Sequence, residues 1–384
     1  MSFYDVIVLG VGGWGSATLY HLARRGLKVA GVEQFGVGHD RGSSHGESRI
    51  IRMAYFMDPA YVPVLRRAYD LWRDLETAAA ESLMNLPGLL CLGETDGAFI
   101  RGLETCYATH RDLPHERWTT AEARARFPQF QPPEDATCYW DPLGGYLDAD
   151  RCVAAHARLA GELGAKLLTG ERVLTYRCDG DGVVVTTDRQ ELRATRLVIA
   201  TGAFTARFTS DLGGLVTPVR KALFWYRLHD PAAFAPGPFP AWIAKFGGLN
   251  YYGFPSLDGG TIKAAEDTGG QTLPTADDVP RSLRDDDEQN LRPFLDRLFP
   301  GALGRRSAGK VCLYENTFDR HFILDRHPEY PQVVLACGGS GHGFKFSSVA
   351  GEIAADLATL GNSAIRPNIF RLGDRRSGAV GASS

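Results

Sequence analysis

No stretch of the chain approaches the roughly 20 consecutive apolar residues needed to cross a bilayer, and no block of like charge marks a membrane or polyanion partner. A formal net charge of −3 also argues against the basic surface that nucleic-acid binding requires. The expected partner is a small molecule. The seven cysteines (91, 106, 138, 152, 178, 312 and 337) form no CxxC pair and no Cys/His cluster at zinc spacing, so neither a metal site nor a disulfide framework is expected. Reduced thiols, and an opening MSFYDVIVLG that enters a strand with no basic leader or cleavage site, point to the cytoplasm. Lysine is scarce as well. Only seven of the 42 basic residues are lysines (28, 166, 221, 245, 263, 310 and 345), so each raises the question of what a guanidinium could not do in its place. What remains, 384 residues at 44% hydrophobic and 23% charged, suits one large or two interleaved globular domains.

The first forty residues carry the clearest pattern. YDVIVLG reads as a buried strand, GVGGWG places Gly10, Gly12 and Gly15 in GxGxxG spacing, SATLYHLARRG is an amphipathic helix closing at Gly26, and KVAGVE is a second strand ending at Glu33. In such a βαβ unit Gly10 permits the tight turn, Gly12 lets backbone approach a pyrophosphate, and Gly15 lets helix and strand pack closely. The helix N-terminus attracts the phosphates, and Glu33 stands where a carboxylate accepts the ribose hydroxyls of a dinucleotide.

A nicotinamide enzyme would continue with further strand–helix alternation, but HDRGSSHGESRIIR follows. Ser43, Ser44, His45, Arg49 and Arg52 crowd into this polar segment, which is expected to run into a helix with Arg49 and Arg52 on one face, suiting an anionic ligand. Downstream, Thr119 and Glu122 form a capping-box signature, and Asp148 caps a helix over 148–165. A hairpin with a DGDG turn follows, and a strand ends in ATGAF. From 221 to 300 the chain turns rich in aromatics, prolines and strands, as for an inserted cap domain. After 305 the nucleotide domain is expected to return and to close with the helix SSVAGEIAADLATLG. In KVCLYENTFDRHF, Val311, Cys312 and Leu313 cannot all share one face of an alternating strand, so one of them points somewhere unusual.

GVGGWG, SHGESRIIR, YYGFPS followed by Lys263, VCLYENTFDRHFILDRHP and GGSGHGFKFSS, in this order, resemble the monomeric sarcosine oxidase family, which includes N-methyltryptophan and pipecolate oxidases. The resemblance covers nearly the whole chain. It implies a two-domain α/β (α+β) fold: an FAD-binding Rossmann domain of the glutathione-reductase and D-amino-acid-oxidase kind, interleaved with an antiparallel-sheet catalytic domain. The FAD-binding domain is expected over 1–85, 145–220 and 305–384, and the catalytic domain over 86–144 and 221–304. It further implies FAD attached covalently through Cys312, a small amino-acid substrate, O2 as acceptor and a monomeric enzyme.

Site residues follow from the same resemblance. Lys263 is expected beneath the flavin, where a compact ammonium assists oxygen reduction, Arg49 and His45 join it as catalytic candidates, and Asp267, where the chain departs from the family, is a further one. Arg52 and Lys345 are expected to hold the substrate carboxylate, with Tyr252 and Tyr314 as pocket walls. Cofactor contacts are expected from Gly10, Gly12, Gly15, Glu33, Ser43, Ser44, Arg49, Val173, Cys312, Gly341, Gly343, Phe344 and Lys345. A helix opening near Ser347 would turn its positive end toward the flavin ring.

The chain also departs from the family. Asp267 replaces a histidine four residues after Lys263, with Glu266 beside it, so a more acidic pocket is expected. Phe56, Met57 and Asp58 make the entrance bulkier than the family's small charged loop. The expected activity is oxidation of a secondary amino acid (sarcosine, another N-methyl amino acid or a cyclic imino acid) to an imine, with O2 becoming hydrogen peroxide. The alternatives are an oxidase or dehydrogenase of another amine, such as a glycated amino acid or biosynthetic intermediate, and an FAD-binding subunit without turnover.

Overall fold

The apolar run FYDVIVL becomes the strand Phe3–Leu9 in a computed structural model that describes residues 3–373. Its last four residues are buried, as central parallel strands covered on both faces are. It pairs in parallel with Val29–Glu33 on one side and Glu191–Ile199 on the other. Lys166–Thr169 extends the sheet past Val29–Glu33. The first half of Glu191–Ile199 pairs with Gly182–Thr187 of the DGDG hairpin, and its second half with Val333–Cys337. Val173–Asp179 and Ile323–Arg326 complete the eight strands. The helix Gly13–Arg24 packs on both Ala149–Glu162 and Ser347–Thr359.

A second, nine-stranded sheet centres on the long antiparallel pair Thr217–Leu228 and Leu303–Asn316. From Thr217–Leu228 it continues through Thr261–Glu266, Leu249–Gly253, Ala241–Phe246, Leu89–Glu94, Ala136–Asp141 and Glu116–Trp118. Its pairings are antiparallel except where Ala241–Phe246 runs parallel to Leu89–Glu94, so the antiparallel sheet implied by the resemblance carries one parallel junction. On the face opposite Ile243 and Lys245, Phe130, Phe239, Phe299 and Trp242 form an aromatic core with the helix Leu291–Leu298.

Local signals hold where a capping side chain supplies them. The Thr119 side chain accepts from the Glu122 backbone and Glu122 returns the bond, and Asp148 accepts from the Arg151 N–H. Two expectations are corrected. SRII is not helical: Ser48–Ile51 is a strand pairing with Gly145–Asp148, because its β-branched residues and the ladder outweigh the i, i+3 pattern of charges. The boundary expected at 305 falls later, since Leu303–Asn316 pairs along its whole length with Thr217–Leu228 in the second sheet. Cys312 is therefore carried by that sheet. Residues 311–314 are all buried, which removes the alternation expected of a half-exposed strand. Among the described residues no helix is long and apolar enough to cross a membrane, and no group of three or more His, Cys, Asp or Glu is placed to hold a metal ion.

Candidate active site

A cleft opens at the ends of the parallel strands, where open α/β sheets bind ligands. Gly10 turns there with φ +83°, and a Cβ on Gly15 would lie 1.9 Å from the Gly10 carbonyl oxygen, so neither position accepts a side chain. Gly12 has open space apart from the Ser44 Oγ, and the Gly13 N–H donates to that oxygen at 3.0 Å. Glu33 is buried at the next strand end. Burial pushes its carboxyl up, but His39 and the N–H groups of Val11 and Phe35, both at 2.9 Å, outweigh that and hold it below the usual range. Val173, Ala200 to Phe204, Gly339, Gly341, Gly343 and Phe344 complete the wall. Ser347, at the N-terminus of its helix, lines the cleft with its buried Oγ lacking any partner. The glycine turn, the ribose-facing carboxylate and this orphaned hydroxyl fit FAD: phosphates at the turn before Gly13–Arg24, and the adenosine ribose at Glu33.

Arg49, Tyr314, Gly341 and Phe344 line both this cleft and an adjoining cavity of about 400 Å³. Arg49 sits at the junction, donating to the carbonyls of Ser43 (2.7 Å), Ser48 (2.8 Å) and His45, with Nη2 4.0 Å from the Cys312 Sγ. The Ser43 hydroxyl donates to the Leu313 carbonyl, tying the 39–48 loop to the strand that carries Cys312. His45 is buried with both ring nitrogens unpartnered. Its pKa falls to about 3 through burial and the cations Arg49, Lys310 and Lys263, against Asp40, so it is neutral at physiological pH.

Lys263 lies behind this loop rather than on the cavity wall. Its Nζ donates to the Gly46 carbonyl (2.5 Å), the Ser48 carbonyl (2.8 Å) and the Ser48 Oγ (3.3 Å), and the rings of Phe254 and Trp225 flank it at 4.8 and 5.6 Å. Burial and Arg49 push its pKa well below that of an ordinary lysine, against Glu47 and Cys312. Three acceptors match the three N–H groups of the charged form.

In the cavity Arg52 is buried over the rings of Phe56 (4.4 Å) and Tyr55 (4.8 Å), and its Nη1 has no partner. Arg49 and Arg52 change face along an extended chain, yet both reach the cavity because the strand ends at Ile51. Lys345 donates to the His342 carbonyl at 2.6 Å, its pKa driven well down by burial and by Arg52, with Asp267 opposing. Tyr252 and Tyr314 are walls, and the Tyr314 hydroxyl donates to Asp267 Oδ1 at 3.0 Å. The loop carrying Asp267 is pinned by Lys221, which donates to the carbonyls of Thr268 and Gly269.

The pocket is not acidic as expected. Glu266 turns away to Thr268 and Asn290, leaving Asp267 as the one carboxylate against Arg49, Arg52, Lys245, Arg320 and Lys345 on the wall. Phe56 and Met57 do line it, while Asp58 instead accepts the Ala60 N–H ahead of the helix Tyr61–Ala79. Lys245, Arg320 and Glu315 were not legible as site residues. Lys245 had one signal, its place among few lysines. Glu315 lines the dinucleotide cleft with its Oε2 buried and unpartnered, and desolvation raises its pKa to about 7 against the N–H groups of Gly339 and Gly338.

A dinucleotide cleft opening into a cation-lined cavity beneath a large sheet defines a flavin-dependent amine oxidase, and the FAD-dependent oxidoreductase (DAO) family matches residues 5–357. The chain is 40% identical over 372 residues to monomeric sarcosine oxidase of Streptomyces avermitilis, covering 96% of each. It is 34% identical to N-methyl-L-tryptophan oxidase of Citrobacter koseri, covering 92% of this chain and 94% of that one. It belongs to the monomeric sarcosine oxidase family. Among solved structures, the open form of NikD, an unusual amino acid oxidase essential for nikkomycin biosynthesis, superposes with a TM-score of 0.86 at 26% identity, covering 97% of this chain and 98% of that one.

Proposed function

We propose that the protein oxidises the C–N bond of secondary α-amino acids, N-methyl amino acids foremost and cyclic imino acids alongside them, acting as a cytoplasmic monomer. The observation that carries this is the buried, unpartnered Arg52 Nη1 beside Lys345, in a cavity continuous with the FAD cleft. Two electrons and two protons leave the C–N unit, O2 takes them as hydrogen peroxide, and water splits the imine; for an N-methyl substrate the products are the primary amino acid and formaldehyde. FAD, when bound, supplies the two-electron carrier between amine and oxygen.

The chain supplies the rest. Arg52 and Lys345 bind and orient the carboxylate, Tyr252 and Tyr314 wall the reacting carbon, and Lys263 places positive charge where oxygen becomes anionic. Asp267 governs the substrate proton: a carboxylate in the same cavity favours the ammonium, which must lose its proton before oxidation. The family names support the monomer, and the lack of any CxxC pair supports the reducing compartment. An assay of the FAD-loaded protein against N-methyl amino acids tests the reading. Equal molar yields of formaldehyde and peroxide are expected, and turnover of primary amines alone would contradict it.

Cys312 is the proposed point of flavin attachment, supported by its burial on the cavity wall beside Arg49. Acid-precipitated protein should stay yellow, and the peptide containing Cys312 should carry the mass of FAD. Cys312→Ala should release all flavin on precipitation. Complete release from the unaltered protein would refute the attachment.

A further inference from the structure

The charges on the cavity wall do not balance for a substrate with one carboxylate. Of the five cations, Arg49 already donates to three carbonyls. If Arg52 and Lys345 take the α-carboxylate, Lys245 and Arg320 are left. Lys245 projects from the strand Ala241–Phe246, its ammonium 4.0 Å from the Phe56 ring centroid and 5.1 Å from that of Phe99. It makes no hydrogen bond or ion pair to any described residue. The Arg320 guanidinium likewise has none.

Arg320 also sits at φ +65°, a backbone region costly for a residue with a long side chain. The turn is held from both sides. The Arg320 N–H donates to the Thr317 carbonyl, and its own carbonyl meets His342 Nε2 at 2.8 Å, while His342 Nδ1 pairs with the buried Tyr55 hydroxyl. An arginine serving only as a solvated surface charge would not need a left-handed turn fastened to a buried tyrosine. Asp267, the one acidic group on the wall, is already engaged by Tyr314. Burial and Arg52 bring the Lys245 pKa down to about 8, with Arg320 adding and Asp267 and Cys91 opposing, as for a cation waiting for an anion.

We propose that Lys245 and Arg320 bind a second carboxylate on the substrate side chain, making N-methyl dicarboxylic amino acids the preferred substrates. This rests on the reading that Arg52 and Lys345 take the α-carboxylate. Phe56, within 4.4 Å of Arg52 and 4.0 Å of Lys245, stands against both cations and shapes the two anion positions.

The test uses the FAD-loaded protein with N-methyl-L-glutamate, N-methyl-L-aspartate, their neutral counterparts N-methyl-L-glutamine and N-methyl-L-norvaline, and sarcosine. At least one dicarboxylate is expected to exceed the neutral compounds in kcat/KM by about 100-fold, the scale of a desolvated charge-assisted contact. Lys245→Met and Arg320→Gln should each lower the ratio of dicarboxylate to sarcosine kcat/KM by about tenfold or more, and Lys245→Arg should restore most of it. A binding measurement independent of turnover accompanies it: glutarate and butyrate are titrated while the flavin absorbance is followed. Glutarate should bind about tenfold or more tightly to the unaltered protein than to Lys245→Met, with butyrate showing a smaller difference. If sarcosine is oxidised but glutarate binds no better than butyrate, the subsite is wrong and the proposed activity stands. If no N-methyl amino acid is oxidised while glutarate binding depends on Lys245, the activity is wrong and the subsite stands. Equal loss for all substrates in Lys245→Met would also overturn the subsite.

Discussion

Lys263→Met is expected to slow the reaction of the reduced enzyme with oxygen by about two to three orders of magnitude, the scale of removing one preorganised charge from a developing anion. Anaerobic reduction by substrate should change by less than about tenfold, because Lys263 is not on the wall of the substrate cavity. The ammonium is buried, where a charge acts through a weaker dielectric than in water, and the carbonyls of Gly46 and Ser48 fix its direction. Methionine leaves those carbonyls without a donor, so Lys263→Gln, which keeps an N–H and loses the charge, separates charge from folding. The pH dependence has a defined sign. Lysine is charged below its pKa, and burial with Arg49 drives this one down, so the oxygen reaction should fall with rising pH at values below the 10.5 of an ordinary lysine. Stopped-flow measurement of the two half-reactions decides it. Equal loss in both would assign Lys263 to the scaffold instead.

Arg52→Ala and Lys345→Ala should act on the other half-reaction. Each removes one charged donor to a substrate carboxylate in a largely buried cavity, a loss of about 3 to 4 kcal/mol, or two to three decades in the substrate dissociation constant seen in anaerobic reduction. Reoxidation of chemically reduced enzyme should stay within a few-fold of the unaltered protein. Arg52 should show the larger effect on orientation as well as affinity, because its planar guanidinium can grip a carboxylate through two N–H groups and is held over Tyr55 and Phe56. The loss in Lys345→Ala should narrow at high pH, since burial and Arg52 lower the lysine pKa and the unaltered enzyme loses its own cation there. A variant that slowed the oxygen reaction as much as reduction would remove either residue from carboxylate binding.

Local physics made much of the cofactor side legible. The GxGxxG turn, the strand ending at Glu33 and the helix beginning at Ser347 are each written within about a dozen residues. Thr119 and Asp148 mark their helix starts for the same reason. Long-range effects were not legible. The charges around RII suggest a helix, but its pairing partner lies nearly a hundred residues away at Gly145–Asp148. The strand carrying Cys312 joins the second sheet because its mate, Thr217–Leu228, stands far upstream. Lys245 lies on Ala241–Phe246 and Arg320 in a left-handed turn after Leu303–Asn316, strands separated in the sheet by Leu249–Gly253, Thr261–Glu266 and Thr217–Leu228, so their meeting on one cavity leaves no local pattern. The acidic pocket failed on geometry: KAAED puts two carboxylates side by side, and successive side chains diverge, so Glu266 bonds Thr268 and Asn290 while Asp267 alone faces the cavity.

Anaerobic mixing of the FAD-loaded protein with N-methyl amino acids and with their primary-amine counterparts, followed by admission of oxygen, tests the central claim most directly. The expected result is complete loss of the oxidised-flavin absorbance with at least one N-methyl amino acid and negligible bleaching with its primary counterpart, then recovery on oxygenation with one hydrogen peroxide per flavin. Unchanged absorbance with every N-methyl amino acid, or bleaching by primary amines alone, would contradict it.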